Sequence, residues 1–368
     1  MDEIFGWRLP LGEGVNRGKD WLVSTFSMVW NFIRDLLLTL YSALEEILSR
    51  PPWWLVVISL AGLCWIAARR LGVRPPASWW VLGGAAGGLL FLDAAVWLLD
   101  RLDVEFTPRS TGFGSLALFD LSRPSFLLQF LPPSMVMIVL LSLLGWAARG
   151  WLFALGTLGG LVLIDLMALW PRTMSTLAMV IVACGIAALL GIPIGIAAAR
   201  SRAVSAITKP VLDFMQTMPA LVYLVIAVAL FRVGLPPGLV ATIIFAMPPG
   251  IRLTELGIRQ VDAEVVEAGH AFGSPPGKIL RQIQLPLALP TIMAGINQVI
   301  MLALAMVVLA GLAGAGGLGQ SVVQGITRLN LGLAIEAGLA VVILAIFLDR
   351  TTAALGDRTT AARLQQTA

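Results

Sequence analysis

The residues best placed to do chemistry cluster in EAGHAFGSPPGKILRQIQLPLALP, Glu267 to Pro290. This stretch gathers a carboxylate, the chain's single histidine (His270), the cations Lys278 and Arg281, and four prolines, all between long apolar runs. Acid–base or metal chemistry at His270 needs partners, and the segment offers none. Contact with another protein, or plain exposure, is the reading left for it. Two further acids, Asp165 and Glu336, fall within or at the edge of apolar runs. A carboxylate in a membrane is costly and often functional, and it could attract a cationic head group. The competing reading is a place near an interface or beside a pairing neighbour. For Glu336, near the start of its run, the helix dipole favours an acid.

Other candidates divide in the same way. Pro219, within MQTMPALVYL, must break a helix and free backbone carbonyls, which survive in lipid only when turned toward protein or a water-filled path. With Gln216, Thr217 and Tyr223 it forms the best candidate for pathway lining; a proline kink used for packing is the alternative. GAGGLGQ (314–320) has the glycines of a phosphate loop but neither its GK[ST] ending nor a preceding strand. It reads as a turn after a span, where a binding protein could dock. Cys64 and Cys184 lie in separate apolar runs with no metal or disulfide spacing.

The elements that must position these groups follow from composition. Only 12% of the 368 residues are charged and mean hydropathy is +0.90, whereas soluble domains carry about 25% charge. Such a chain needs lipid around it, so the natural unit is one all-α membrane bundle. A net charge of +4, with no basic tract interleaved with aromatics, excludes a nucleic-acid groove. The N-terminus lacks the basic region and compact apolar run of a cleavable signal. Stretches of mostly apolar residues long enough to cross a bilayer as helices number about nine: 53–71, 78–99, 132–148, 151–170, 173–199, 211–231, 238–256, 290–313 and 334–348. Residues 21–48 carry Arg34 and Asp35 mid-run and Glu45 and Glu46 near the end, which suits an amphipathic helix lying in the interface. Tryptophans at 53–54 and 79–80 read as interfacial anchors.

Orientation follows from the cations. If the first span runs outside to inside, 14 of the 25 lysines and arginines fall on the inner side and six on the outer, with five in the first 50 residues. Positive residues favour the cytoplasm, so the N-terminus is expected outside and the C-terminus inside. Residues 1–50 then form an extracytoplasmic region, 51–169 additional spans, 170–350 a core with a cytoplasmic loop at 262–290, and 351–368 a cytoplasmic tail.

That placement explains the opening stretch. Residues 262–271 can form a short helix with acids in its first turn, and Gly273 can adopt the left-handed geometry that stops it. Ser274 and Pro275 predict a hydroxyl cap and a restart, with a second helix running until Pro286. A bent, glycine-hinged pair of short helices facing the cytosol is a shape for docking into another protein's groove.

The segment resembles the cytoplasmic signature of ABC-importer permeases, EAA-x3-G-x9-I-x-LP. It reads Glu267-Ala268-Gly269, then Gly273, Ile283 and Leu285-Pro286, with every spacing kept and Gly269 in place of the second alanine. From about 170 to 350 the chain is similar to the permease of glycine betaine/proline betaine importers, in LLGIPIGIAAARSRA, PVLDFMQTMPALVYL, TIIFAMPPGIRLTELGIRQV, QLPLALPTIMAGINQVIMLALAMVVLAG, GAGGLGQ and VVILAIFLDR. Residues 72–150 depart from it, as an inserted pair of spans with an acidic outer loop.

The resemblance implies a type I ABC importer permease bundle in a bacterial inner membrane, carrying quaternary-ammonium osmolytes: glycine betaine, proline betaine, choline, carnitine or trimethylamine N-oxide. It implies a homodimer with two ATPase subunits inside and an extracytoplasmic solute-binding protein outside. Glu267, Ala268, Gly269, His270, Gly273, Ile283, Leu285 and Pro286 would then couple to the ATPase. The chain would bind no cofactor itself, since it contains no Walker A sequence; ATP and Mg would sit on the partner. A secondary transporter or channel is the alternative, predicting repeated halves and charges deep in several spans. An intramembrane enzyme would need paired acids or a His/Cys set.

Overall fold

The computed structural model describes residues 11–49, 51 and 133–357. The expected spans 53–71 and 78–99, their tryptophans, the acidic loop, Cys64 and residues 358–368 lie outside them. The described residues contain helices and no strand, as lipid demands of a chain that must satisfy its own backbone. In order they are α1 (Leu11–Thr25), α2 (Ser27–Ser49), α3 (Pro133–Arg149), α4 (Trp151–Leu166), α5 (Trp170–Arg200), α6 (Arg202–Thr217) and α7 (Ala220–Phe231). There follow α8 (Leu235–Arg259), α9 (Ala263–Ala271), α10 (Pro276–Ile279), a π turn (Leu280–Gln284), α11 (Leu285–Ala310), α12 (Gly317–Thr327) and α13 (Leu331–Asp357).

The core is α8, held between α5 and α11. Small residues let these backbones approach closely. A Cβ on Gly195 of α5 would stand 2.6 Å from Thr254 Cβ, and one on Gly257 of α8 would stand 2.9 Å from Thr291 Cβ on α11. Four helical stretches are long and apolar enough to cross a membrane: α5, α8, residues 276–313 and α13. The pair α6–α7 forms a fifth only as a broken span, bent by 98°. The shorter α3 and α4 make a hairpin around Gly150 (φ 102°), with Gly145 facing Thr157.

Two expected boundaries are corrected. Pro286 does not end a helix: the chain stays helical from Pro276 through Ala313, so the span placed at 290–313 starts inside the docking loop. The reason is local. The Leu285 amide bonds the Leu280 carbonyl in a π turn, and this wider turn relieves the clash between a proline ring and the carbonyl four residues back. The last span, placed at 334–348, is instead 27 residues long.

Residues 21–48 form the end of α1 and most of α2, one face of which carries the buried Leu37, Tyr41 and Leu48. Tyr41 is hydrogen-bonded to Ser175 near the start of α5, and Trp30 meets Phe231 at the end of α7 edge-on at 5.5 Å. Both anchors are at one end of the bundle, so α2 runs across that end. Burial raises the Tyr41 phenol above its ordinary value and keeps it neutral.

Candidate functional site

Residues 262–290 begin at the opposite end of the bundle from α2. Asp262 caps α9, its Oδ1 accepting from the Glu264 amide at 2.9 Å, and Glu264 supplies the acid of the first turn. At the other end Gly273 sits at φ 70°. The Ser274 amide reaches the Gly269 carbonyl at 3.2 Å and the Gly273 amide the His270 carbonyl at 2.9 Å. These paired bonds are a Schellman closure, which a left-handed residue makes possible. The restart differs from expectation: Pro275, with extended backbone, occupies the cap of α10, and Ser274 makes no side-chain cap there. Pro276, the first helical residue, has no amide to cap, and the Lys278 and Ile279 amides reach the Pro275 carbonyl at 2.9 and 3.2 Å.

The segment's residues divide by exposure. Glu267, Ala268, His270, Gly273 and Pro286 face outward, with Phe272 88% exposed beside them. Gly269 is buried, Ile283 and Leu285 are half-buried, and a Cβ on Gly269 would stand 3.0 Å from Ile283 Cδ1 and 3.3 Å from Ile279 Cγ1. The inner face of α9 thus packs on the π turn, while the outer face leaves an apolar tip, Phe272, and a carboxylate, Glu267, exposed. Phe272 was not singled out in the sequence, although an unshielded aromatic in a polar loop is a signal for an interface anchor.

The break at Met218–Pro219 is built as the sequence suggests. Proline pushes the residue before it into extended backbone, and Met218 takes φ −70° and ψ 132°. The missing amide of Pro219 would have served the Met215 carbonyl; the Tyr223 hydroxyl donates to that carbonyl instead. Tyr223 is 7% exposed and points into the bundle, whereas Gln216 and Thr217 lie open at the break. Glu336 is exposed on α13, which packs on α3, α4, α5, α11 and α12. Asp165 is half-buried in the last turn of α4.

The glycine-rich turn is closed to anions. The Leu318 amide bonds Thr176 Oγ1 at 2.8 Å, and Arg172 Nη1 donates to Ser321 Oγ at 2.7 Å. Cys184 is buried and free. Among the described residues no group of three His, Cys, Asp or Glu side chains could hold a metal.

Two polar links escaped the sequence reading. Glu255 on α8 is 8% exposed, 3.0 Å from Arg259 Nε, and accepts from Ser205 Oγ at 2.7 Å. Asp213 on α6 pairs with Arg252 on α8. A glutamate inside an apolar run with an arginine four residues on was the available signal.

A helical bundle of this kind, with a capped helix exposed between two of its long members, is a multi-pass membrane protein. The family described as binding-protein-dependent transport system inner membrane component matches residues 191–361. The chain is 50% identical over 224 residues to the glycine betaine/proline betaine transport system permease protein ProW of Escherichia coli (strain K12), covering 61% of this chain and 63% of that one. It is 50% identical to the glycine betaine transport system permease protein OpuAB of Bacillus subtilis (strain 168), covering 61% and 79%. It is 48% identical to the glycine betaine/carnitine transport permease protein GbuB of Listeria monocytogenes serotype 1/2a (strain 10403S), covering 62% and 83%. The chain belongs to this family of inner-membrane transport components. It spans just under two thirds of the length of the Escherichia coli relative.

Proposed function

We propose that the chain is the membrane-spanning permease subunit of an ATP-driven importer of type I architecture for quaternary-ammonium osmolytes. The observation that carries this reading is the Schellman-closed helix α9, fixed from behind by Ile279 and Ile283 and exposed in front at Glu267, His270 and Phe272. It is joined directly to α8 and, through the π turn, to α11. A partner that grips α9 therefore pulls on the two helices at the centre of the bundle. The partner is an ATPase, in two copies, holding ATP and Mg. This chain pairs with a second copy of itself, and a solute-binding protein delivers cargo at the end where α2 lies in the outer membrane interface.

The mechanism is a population shift. ATP closes the ATPase dimer, the docking segments move with it, and the bundle passes between inward- and outward-open states that differ in their contacts. Gln216 and Thr217, open at the break beside Pro219, line the path, and the Tyr223 bond holds the break in shape. Glu336 stands apart on α13 and would contribute to the path only through a second copy. Relatives named for glycine betaine, proline betaine and carnitine support a cargo of that class; choline and trimethylamine N-oxide share the quaternary or tertiary-oxide nitrogen.

Reconstitution with the ATPase and binding protein in liposomes tests the reading. ATP-dependent uptake of labelled glycine betaine or carnitine is the expected result. Uptake that proceeds without the ATPase would assign a secondary transporter or channel instead.

A further inference from the structure

The arm α6, which leads into the break at Pro219, is tied to α8 by two polar links. Ser205 Oγ donates to Glu255 Oε1 at 2.7 Å, and Asp213 pairs with Arg252. The second link is open to solvent, with side chains 65% and 41% exposed, and exposed pairs contribute little. The first is buried. Arg259 Nε holds the same Glu255 oxygen at 3.0 Å, and Arg259 Nη2 donates to the Ala198 carbonyl in the last turn of α5 at 2.9 Å. One carboxylate therefore ties together the ends of α5, α6 and α8.

Its position gives this cluster a consequence. Arg259 is the last residue of α8, and Gln260, Val261 and Asp262 alone separate it from α9. Where the docking segment moves, the end of α8 is the first element to follow. Gly195 and Gly257 let α8 pack closely against α5 and α11, and the arm α6 lies beside these three helices. Glu255 is 8% exposed while Arg259 is 39% exposed, so what is buried is the carboxylate, and leaving a buried carboxylate without its partners is costly.

We propose that Glu255 is a positioning residue that carries displacement of the docking segment across to α6, and so to the break beside the path. The inference rests on the reading of residues 262–290 as the ATPase-coupling segment.

The test uses the whole complex in liposomes and reads solute moved per ATP hydrolysed. Ser205→Ala removes the tie to α6 and leaves Glu255–Arg259 and Arg259–Ala198 in place. Solute moved per ATP should fall by about fivefold or more, while hydrolysis without solute stays close to that of the unaltered complex. Glu255→Ala, which removes the acceptor, should uncouple in the same way, and Ser205→Thr, which keeps the hydroxyl, should stay coupled. An unchanged ratio in Ser205→Ala overturns the proposal. So does Ser205→Thr failing as Ser205→Ala does, or a joint loss of uptake and hydrolysis with a lowered unfolding temperature, since both mark simple packing. If the unaltered complex moves no solute with ATP, the parent reading falls and this one with it; only the variant ratios decide the inference by itself.

Discussion

Gly269 and Ile283, fourteen residues apart in the chain, meet face to face: a Cβ on Gly269 would stand 3.0 Å from Ile283 Cδ1. The first and last parts of the docking motif are therefore one packed unit, with the glycine taking the position where the motif has alanine. Gly269→Ala asks only that flexible isoleucine ends shift by a few tenths of an ångström, and it restores helix propensity worth about 1 kcal/mol. Uptake should survive it. Gly269→Leu must push α9 off Ile279 and Ile283, and uptake and ATPase co-purification should both fall several-fold. Equal transport by both variants would mean that the orientation of α9 is irrelevant.

Gly273 holds a left-handed backbone that other residues resist by about 1–2 kcal/mol. Gly273→Val should cost most of the ATP-driven uptake while membrane insertion remains normal, and Gly273→Asn should cost less, since asparagine tolerates that geometry. Radiolabelled uptake beside membrane abundance distinguishes lost coupling from lost protein.

Glu267 is exposed, and the proposed coupling role puts its charge at the ATPase interface. Glu267→Lys should weaken ATPase co-purification and abolish stimulation of hydrolysis by solute, yet leave the binding protein able to dock at the other face. A fully stimulated variant would remove Glu267 from the interface.

Tyr223→Phe takes away the donor on the Met215 carbonyl that Pro219 leaves without a backbone amide. Loss of one hydrogen bond is worth about 1 kcal/mol, and the unfolding temperature in detergent should drop by a few degrees. No change in that temperature would show that water replaces the hydroxyl at the break.

Sidedness is open to direct test in a background with both native cysteines replaced by alanine. Ser42→Cys on α2 should react with an impermeant thiol reagent in intact cells, and Lys278→Cys should react only after lysis. The reverse pattern would put the docking segment outside and separate it from any cytoplasmic ATPase.

Much of this molecule is local physics and so was legible in order along the chain. Apolar runs of span length must become helices, because a backbone in lipid has no other partner. Met218–Pro219 must break one of them, and Gly273 must close another. Even the bent form of the docking segment follows from turn chemistry within twelve residues.

What the tertiary structure alone decided is where sequence-distant groups meet. Ser205 and Glu255 lie 50 residues apart, and nothing in the periodicity of either helix says that they touch. The Tyr223 bond reaches eight residues back only because α6 and α7 fold at 98° to each other. Pro286 looked like a stop because proline usually is one. It continues a helix here because a π turn widens just before it, and the Gly269–Ile283 contact clamps α9 onto that turn. Sequence determined which residues could not avoid helix, turn or break, since those costs are paid within a few residues. Which side chain would answer each freed carbonyl or buried charge depended on packing, whose partners are chosen by space and not by order.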